Sequence, residues 1–317
     1  MMGSKLIRAG LFLAVALTAL PTFAQDKLKL AVGQRGNWDS AVPEIGQRAG
    51  IFKKQGLELE ILWTQGSGET IQAVLSQSVD VGVAAGIMGT LGAFSKGAPI
   101  RVIGAQSTGA GDLFRYVRED SPVKTMKDMD GKTMAYSTNG SSTHGIVTAF
   151  INEMKLKARP VATGSPSSTL TQVMSGQVDM GWSAPPSSLD FIDQKKIRVI
   201  ATGNDTAFKN QTVRLLDVHA QTLQSKKPQL ERFMKAYRET IDRMYDDPAM
   251  LKTYAEFAGV SEAIAKRTRD EFFAKSAIDP DKVVGLAEIM PDAVTYKYIA
   301  APLSEAQTKE LFQIIPR

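Results

Sequence analysis

One stretch of this chain occurs twice. Residues 70–86 read TIQAVLSQSVDVGVAAG, residues 169–185 read TLTQVMSGQVDMGWSAP, and seven of the seventeen positions are identical. Unrelated segments of that length share about one. A second match follows each copy, because Ile100–Ile103 and Ile197–Ile200 both read IRVI. Two matches in one order and at nearly one spacing point to an internal duplication. The order extends upstream. Leu28–Val32 is a short strand pattern followed by a Gly-rich turn and a helix ending near Gly56; Lys132–Tyr136 is followed by a Ser/Thr/Gly turn and a helix to about Lys155.

Each unit therefore alternates short Val/Ile/Leu strands with longer amphipathic helices, such as the one that sets Ile71, Val74 and Leu75 on a single face. Alternation of this kind predicts two α/β lobes built on parallel sheets. The joins fall near Gln106–Asp112 and Gly203–Asp205. Lobe one is expected to comprise residues 25–107 plus 205–317, and lobe two residues 108–204. From about Pro228 the chain reads as helices, Pro228–Tyr245, Pro248–Ala258, Ser261–Phe273, Asp279–Ile289 and Ser304–Ile314, returning to brace the first lobe.

The first 24 residues stand apart from this scheme. Lys5 and Arg8 precede the apolar run Leu11–Leu20, and Thr22 and Ala24 place small residues before a cleavage point. That pattern predicts a secretory signal peptide over residues 1–24, too short in its apolar core to remain as a membrane span. The 317-residue chain has no cysteine, which excludes disulfides and lipid attachment through an N-terminal Cys. A periplasmic location follows as an expectation. The formal net charge is +5, of which the leader carries two, and it forms no block. No nucleic-acid partner is expected.

Ligands of open parallel α/β sheets bind outside the carboxyl ends of the strands. That selects Gly33–Asp39, Gln65–Glu69 and Ala84–Met88 in lobe one, and Ser137–His144, Gly164–Ser168 and Trp182–Ser187 in lobe two. Asn139, Ser141, Ser142, Thr143 and His144 make one of these turns dense in polar groups, and Ser67-Gly68 opens a helix in the other lobe. Free N–H groups at a helix start, with hydroxyls beside them, suit an anion, although the same residue types serve equally as ordinary caps. Trp38 and Trp182 can clamp an apolar or planar solute body larger than nitrate, or belong to the core. Arg35 can pair with a carboxylate or sulfonate, or face solvent; Asn37, Ala85, Gly86 and Ser183 fall in the same loops. Asp39 and Glu69 suit an amine or a helix first turn.

Enzyme readings find little support. Two histidines and no cysteine provide no Cys nucleophile and no dense metal set, so neither a metal nor a cofactor is expected. Ser141, His144 and Asp39 can be assembled into a triad only without a Gly-x-Ser-x-Gly motif, and dinucleotide and P-loop fingerprints are missing.

The opening Lys29-Leu30-Ala31-Val32, the run Ala49–Leu57 (AGIFKKQGL), Val79-Asp80-Val81-Gly82, Gly97–Ile100 and Met129–Thr133 (MDGKT) carry a family resemblance. The chain resembles the periplasmic substrate-binding proteins of the nitrate, sulfonate and taurine type, which include relatives of thiamine-precursor binders. The resemblance implies a type II periplasmic-binding fold with two α/β lobes, a two-segment hinge and a ligand cleft between them. It implies capture of a small organic anion or zwitterion by lobe closure, and delivery to the membrane subunits of an ABC importer, for which a monomer suffices. The anionic group would be held at helix starts, here Ser67, Ala85, Gly86, Ser141, Ser142 and Thr143.

Overall fold

A computed structural model of the protein describes residues 25–317; the expected signal peptide lies outside the described residues. The strands are Asp26–Gly33 (β1), Leu57–Thr64 (β2), Val81–Gly86 (β3), Ile100–Thr108 (β4), Phe114–Arg118 (β5), Thr133–Tyr136 (β6), Arg159–Ala162 (β7), Gly181–Ser183 (β8), Ile197–Thr202 (β9) and Thr212–His219 (β10). The first sheet has the order β2-β1-β3-β10-β4. The other strands run β7-β6, then β8-β5-β9, and a Met134–Met180 bridge joins β6 to β8. Both halves thus repeat one order, with three parallel strands, an antiparallel intruder and an edge strand.

The intruders correct the expectation of wholly parallel sheets. β10 runs antiparallel to β3 and β4, and β5 runs antiparallel to β8 and β9. Each is the first strand laid down after the chain crosses between sheets, so it enters from the opposite end. The crossings touch: Gly109 N–H donates to Gln211 O at 2.9 Å, and Gly203 N–H donates to Leu113 O at 2.9 Å.

The duplication extends to individual hydrogen bonds. Asp80 accepts from the Lys29 N–H at 3.0 Å before β3, and Asp179 from the Thr133 N–H at 2.8 Å before β8. Buried hydroxyl pairs Thr64–Thr70 and Thr163–Thr169, 2.7 and 2.6 Å apart, tie the start of each following helix to its strand. Those helices are Ser67–Leu75 (α1) and Pro166–Met174 (α2). Ile87–Ser95 (α3) and Ser142–Glu153 (α4) complete the elements that frame the cleft.

In the tail, Lys227–Asp246 (α5) buries Leu230, Phe233, Met234, Tyr237, Ile241 and Met244, a 3–4 residue spacing that turns one apolar stripe onto the first sheet. Pro248–Ala258 is helical, whereas the expected Ser261–Phe273 helix continues from Glu262–Arg267 into a wider turn over Thr268–Phe272. The expected helix at Asp279–Ile289 begins only at Leu286. Instead, Pro280 O accepts from Ala105 N–H at 3.0 Å and Val284 O from Thr212 N–H at 2.9 Å, filling ladder positions where β4 and β10 shift register. The closing helix is shorter than expected, Glu305–Leu311, because the chain then leaves it to line β4, where Ile315 N–H donates to Ile103 O. No helix among the described residues is long and apolar enough to cross a membrane.

Candidate functional site

The two sheets point their strand ends at one another across a narrow cavity with about 310 Å³ of atom-free space. Lobe one lines it with Gln34, Asn37, Ser40, Ser67 and Ala84; lobe two supplies Ser137, Ser142, Thr143 and Trp182; Leu113 and Arg214 come from the crossings and β10. Roomier grooves exist on the outer face, such as that around Arg238, Asp242 and Arg317, which draws on the tail and the chain end alone. The inter-lobe cavity gathers the equivalent loops of both copies, which is where open α/β sheets hold ligands.

Five of the sequence-selected residues meet there: Asn37, Ser67, Ser142, Thr143 and Trp182. Others lie beside it. Ser141 caps α4, its Oγ accepting from His144 N–H at 3.1 Å and sitting 2.9 Å from Thr143 Oγ1. Gly68 N–H donates to Thr138 Oγ1 across the cleft at 3.0 Å. A β-carbon on Gly86 would lie 2.7 Å from both Gly140 O and Ser142 N. Gly68 and Gly86 thus form a seam where the lobes touch. Ala85 is core, whereas its neighbour Ala84, at φ 65°, lines the cavity.

The remainder point elsewhere. Trp38 is fully buried within lobe one, its Nε1–H donating to Tyr245 Oη at 3.0 Å and its ring edge-on to Tyr254. The aromatic clamp therefore loses one jaw, and with it the size argument that rested on the pair. Arg35 lies over the Phe257 ring, 4.7 Å from its centre, on the tail side. Asn139 is exposed and accepts from Tyr136 Oη–H at 2.7 Å. His144 Nδ1 is engaged by Tyr298 Oη at 2.8 Å and Gly140 N–H at 3.2 Å, and burial holds its pKa down. Ser183 Oγ donates to Ser187 O at 3.1 Å in the interior. With His144 held by Tyr298 and Asp39 by Arg214, Ser141, His144 and Asp39 form no triad.

Sequence reasoning passed over Arg214. It sits in the apolar run of β10, 4% exposed, and its side chain ties the crossing together. Its guanidinium donates to Asp39 Oδ2 at 2.8 Å, Ser107 Oγ at 3.2 Å and Asp112 Oδ2 at 2.6 Å. Gln106, read as hinge, donates to the same Asp39 at 3.0 Å and accepts from Ala84 N–H. Burial raises the Asp112 pKa to about 6 against the pull of Arg214, and Asp39 beside it raises it further. For Arg214, burial works against the charge, but Asp112 and Asp39 hold its pKa above the ordinary arginine value. The one sequence signal was a cation inside a strand pattern rich in Val and Leu, which calls for a buried counterion.

Lobe two holds a second buried cation. Arg115 is 1% exposed and donates to Ala135 O at 2.7 Å and to Thr143 O at 2.9 Å. Its Nε has no partner, and burial lowers its pKa to about 9. Its charge lies beneath the first turn of α4, adding to the positive end of the helix dipole at the cavity wall.

This arrangement can hold a small solute and favour an anionic one; among the described residues no cluster of His, Asp and Glu able to hold a metal occurs. Comparison with known proteins bears on the same point. The profile of the NMT1/THI5-like family matches residues 41–250. A Haemophilus influenzae protein named for thiamine biosynthesis is 24% identical over 175 residues, 55% of each chain, so this chain spans about half the length of the curated relative it matches. The alkanesulfonate-binding protein SsuA of Xanthomonas axonopodis pv. citri, bound to MOPS, superposes with a TM-score of 0.69 at 18% identity, over 86% of this chain and 91% of that one. The desulfurization enzyme DSZB superposes with a TM-score of 0.62 at 16% identity, over 92% and 97%. These likenesses show a periplasmic-binding fold and leave the chemistry to the cavity.

Proposed function

The chain belongs to the NMT1/THI5-like family, and we propose that it is the periplasmic solute-binding component of an ABC importer for a small organic anion or zwitterion. The observation that carries this reading is the cavity between two copies of one folding unit, reached from both lobes and from the crossings. A solute that touches both lobes only when they meet favours the closed form by those extra contacts, and the transporter reads the closed pair of surfaces. In this reading the hinge is the pair of joining segments near Gln106–Asp112 and Gly203–Asp205, and the bonds between the two crossings, Gly109 to Gln211 and Gly203 to Leu113, support it. The chain functions without catalysis in this reading, exported by its leader and acting as a monomer.

The H. influenzae relative supports a second reading, a pyrimidine or thiamine-precursor binder. The test is a melting-temperature screen on protein unfolded and refolded to strip bound solute, followed by uptake in a deletion strain. A solute at about 100 times its Kd adds roughly 2.7 kcal/mol. Stabilisation by an organic anion whose uptake is lost on deletion supports the proposal. Stabilisation only by pyrimidines favours the second reading, and turnover of the bound compound overturns both.

A further inference from the structure

The tail does more than brace lobe one, because it also reaches across to lobe two. Tyr298 has its backbone on lobe one: a β-carbon on Gly92 of α3 would lie 3.1 Å from Tyr298 O. Its side chain crosses to His144 in the first turn of α4, with Oη 2.8 Å from Nδ1 and the two rings edge-on. The Tyr136 ring of β6 lies 4.4 Å from the imidazole, tilted by 30°. On another part of the tail, Arg267 Nη1 donates to both carboxylate oxygens of Asp193 in lobe two, at 2.9 and 3.0 Å.

His144 Nδ1 also takes the Gly140 N–H, at 3.2 Å. A backbone N–H only donates, so Nδ1 is the bare nitrogen of a neutral ring whose proton sits on Nε2. The Gly140 carbonyl is where the lobes touch, since a β-carbon would lie 2.7 Å from it on Gly86 and 2.4 Å from it on Gly89. A proton arriving on Nδ1 meets the Gly140 N–H head-on. The Tyr298 hydroxyl can turn round and accept. Gly140 has no such choice, so its turn must move, and the seam parts with it. The surroundings offer an imidazolium no counter-charge. Tyr136 and Tyr298 face the ring as phenols; Lys297 and Lys209 are exposed, and Lys96 ends α3 in the outer groove that Tyr298 also lines. The carboxylate of α4, Glu153, takes the Tyr296 hydroxyl instead, at 2.5 Å. Burial lowers the His144 pKa from the ordinary 6.5.

Resting on the two-lobe closure of the proposed function, we propose that His144 and Tyr298 form a proton-sensitive clasp that holds lobe two against lobe one and releases it on acidification. Neither residue lines the cavity, so the clasp governs closure without choosing the solute. The neutral ring belongs to the closed form; once the seam parts, the ring meets water and takes up its proton more readily. The clasp is therefore whole above the ordinary value of 6.5 and is lost as pH falls below it. The Arg267–Asp193 contact has no histidine and answers to salt instead.

The chain has no cysteine, so Lys54→Cys and Lys127→Cys, at exposed positions, take one fluorescent label on each lobe. Energy transfer between the labels, on protein unfolded and refolded to strip solute, reads the closed-to-open ratio. From about pH 8 to pH 5 that ratio falls about 2- to 12-fold, the worth of one hydrogen bond. His144→Asn keeps an uncharged acceptor in that place and abolishes the step, which separates it from Asp112 and Asp217, whose pKa values of about 6 and about 7 lie in the same range. Tyr298→Phe lowers the ratio at the upper pH. Arg267→Gln lowers it at low salt and leaves the pH step in place. The chain has two histidines, so proton NMR of the imidazoles gives two titrations. The one missing from His144→Asn, or kept in His219→Gln, lies below 6.5 in the parent; this reading stands even if a clasp variant does not fold. A pH step that survives in His144→Asn, a parent ratio that does not change with pH, or a His144 titration at or above 6.5 overturns the proposal. Failure of the importer reading looks different: the clasp opens as expected, but deletion leaves the uptake of every stabilising solute intact.

Discussion

Gly86→Ala separates lobe folding from lobe closure. The glycine ends β3 at φ −74° and ψ 127°, a conformation open to any residue, so alanine meets no backbone strain there. The nearest neighbours of the added methyl group all belong to lobe two: Gly140 O and Ser142 N at 2.7 Å, and the Ser141 carbonyl carbon at 2.9 Å. All three are backbone atoms at or just before the start of α4, which cannot swing aside as a long side chain can. The closed form must retreat by roughly half an ångström or more, and overpacking of this kind costs about 1–3 kcal/mol. The open form bears none of that cost. The closed-to-open ratio should therefore fall by about 5- to 150-fold, and apparent solute affinity with it. The assay is titration calorimetry with the tightest anion of the screen, alongside small-angle scattering with and without it. The ligand-free melting temperature should stay within about a degree or two of the parent, since surface-type changes cost within about 0.5 kcal/mol. Parental affinity together with parental compaction would refute the assignment of Gly86 to the seam. A large drop in ligand-free stability would place its role inside lobe one instead.

Other consequences follow from the buried charges and rings. Asp217 is fully buried with Thr90 Oγ1 2.6 Å from its Oδ2 and no partner on Oδ1, and burial raises its pKa to about 7. Its neutral form is the one the fold accommodates, so its contribution is fully present below the unfolded value near 4 and is lost as pH rises toward 7. Asp217→Asn stays neutral and keeps the Thr90 bond; in denaturant titrations its stability relative to the parent should climb by on the order of 4 kcal/mol from pH 4 to pH 8, and a flat difference would contradict a raised pKa. Arg214→Met strands Asp39 and Asp112 in the interior and should cost about 3–5 kcal/mol; a loss below 1 kcal/mol would mean that water or the solute, not Arg214, compensates those carboxylates. Trp38→Phe removes the bond to Tyr245 and should lower stability by about 1–3 kcal/mol with solute affinity unchanged, whereas Trp182→Phe should reduce affinity; the opposite pattern would return Trp38 to the cavity.

Much of the architecture was legible because it was written twice. A duplicated unit of α1, β3 and β4 against α2, β8 and β9 is visible as identical residues at one spacing, since the same helix start, aspartate and strand must fit the same local geometry each time. Strand-end loops were legible for the same reason, and they brought Asn37, Ser67, Ser142, Thr143 and Trp182 to the cavity. Local pattern could not tell Trp38 from Trp182. Both are tryptophans near a strand end, and which one faces the cleft depends on whether a tail residue such as Tyr245, 207 positions away, fills the space beside it. Nor did the residues themselves announce that β5 and β10 enter their sheets backwards, because an apolar strand reads alike in either direction. Arg214 shows the same limit most plainly. The sequence determined that a cation would sit in a buried strand; only the tertiary structure decided that Asp39 and Asp112, 175 and 102 positions away, would meet it at the crossing. Periodicity and capping are local and survive in the order of residues, whereas the pairing of buried charges and the identity of the faces that close on one another are set by contacts between distant parts of the chain.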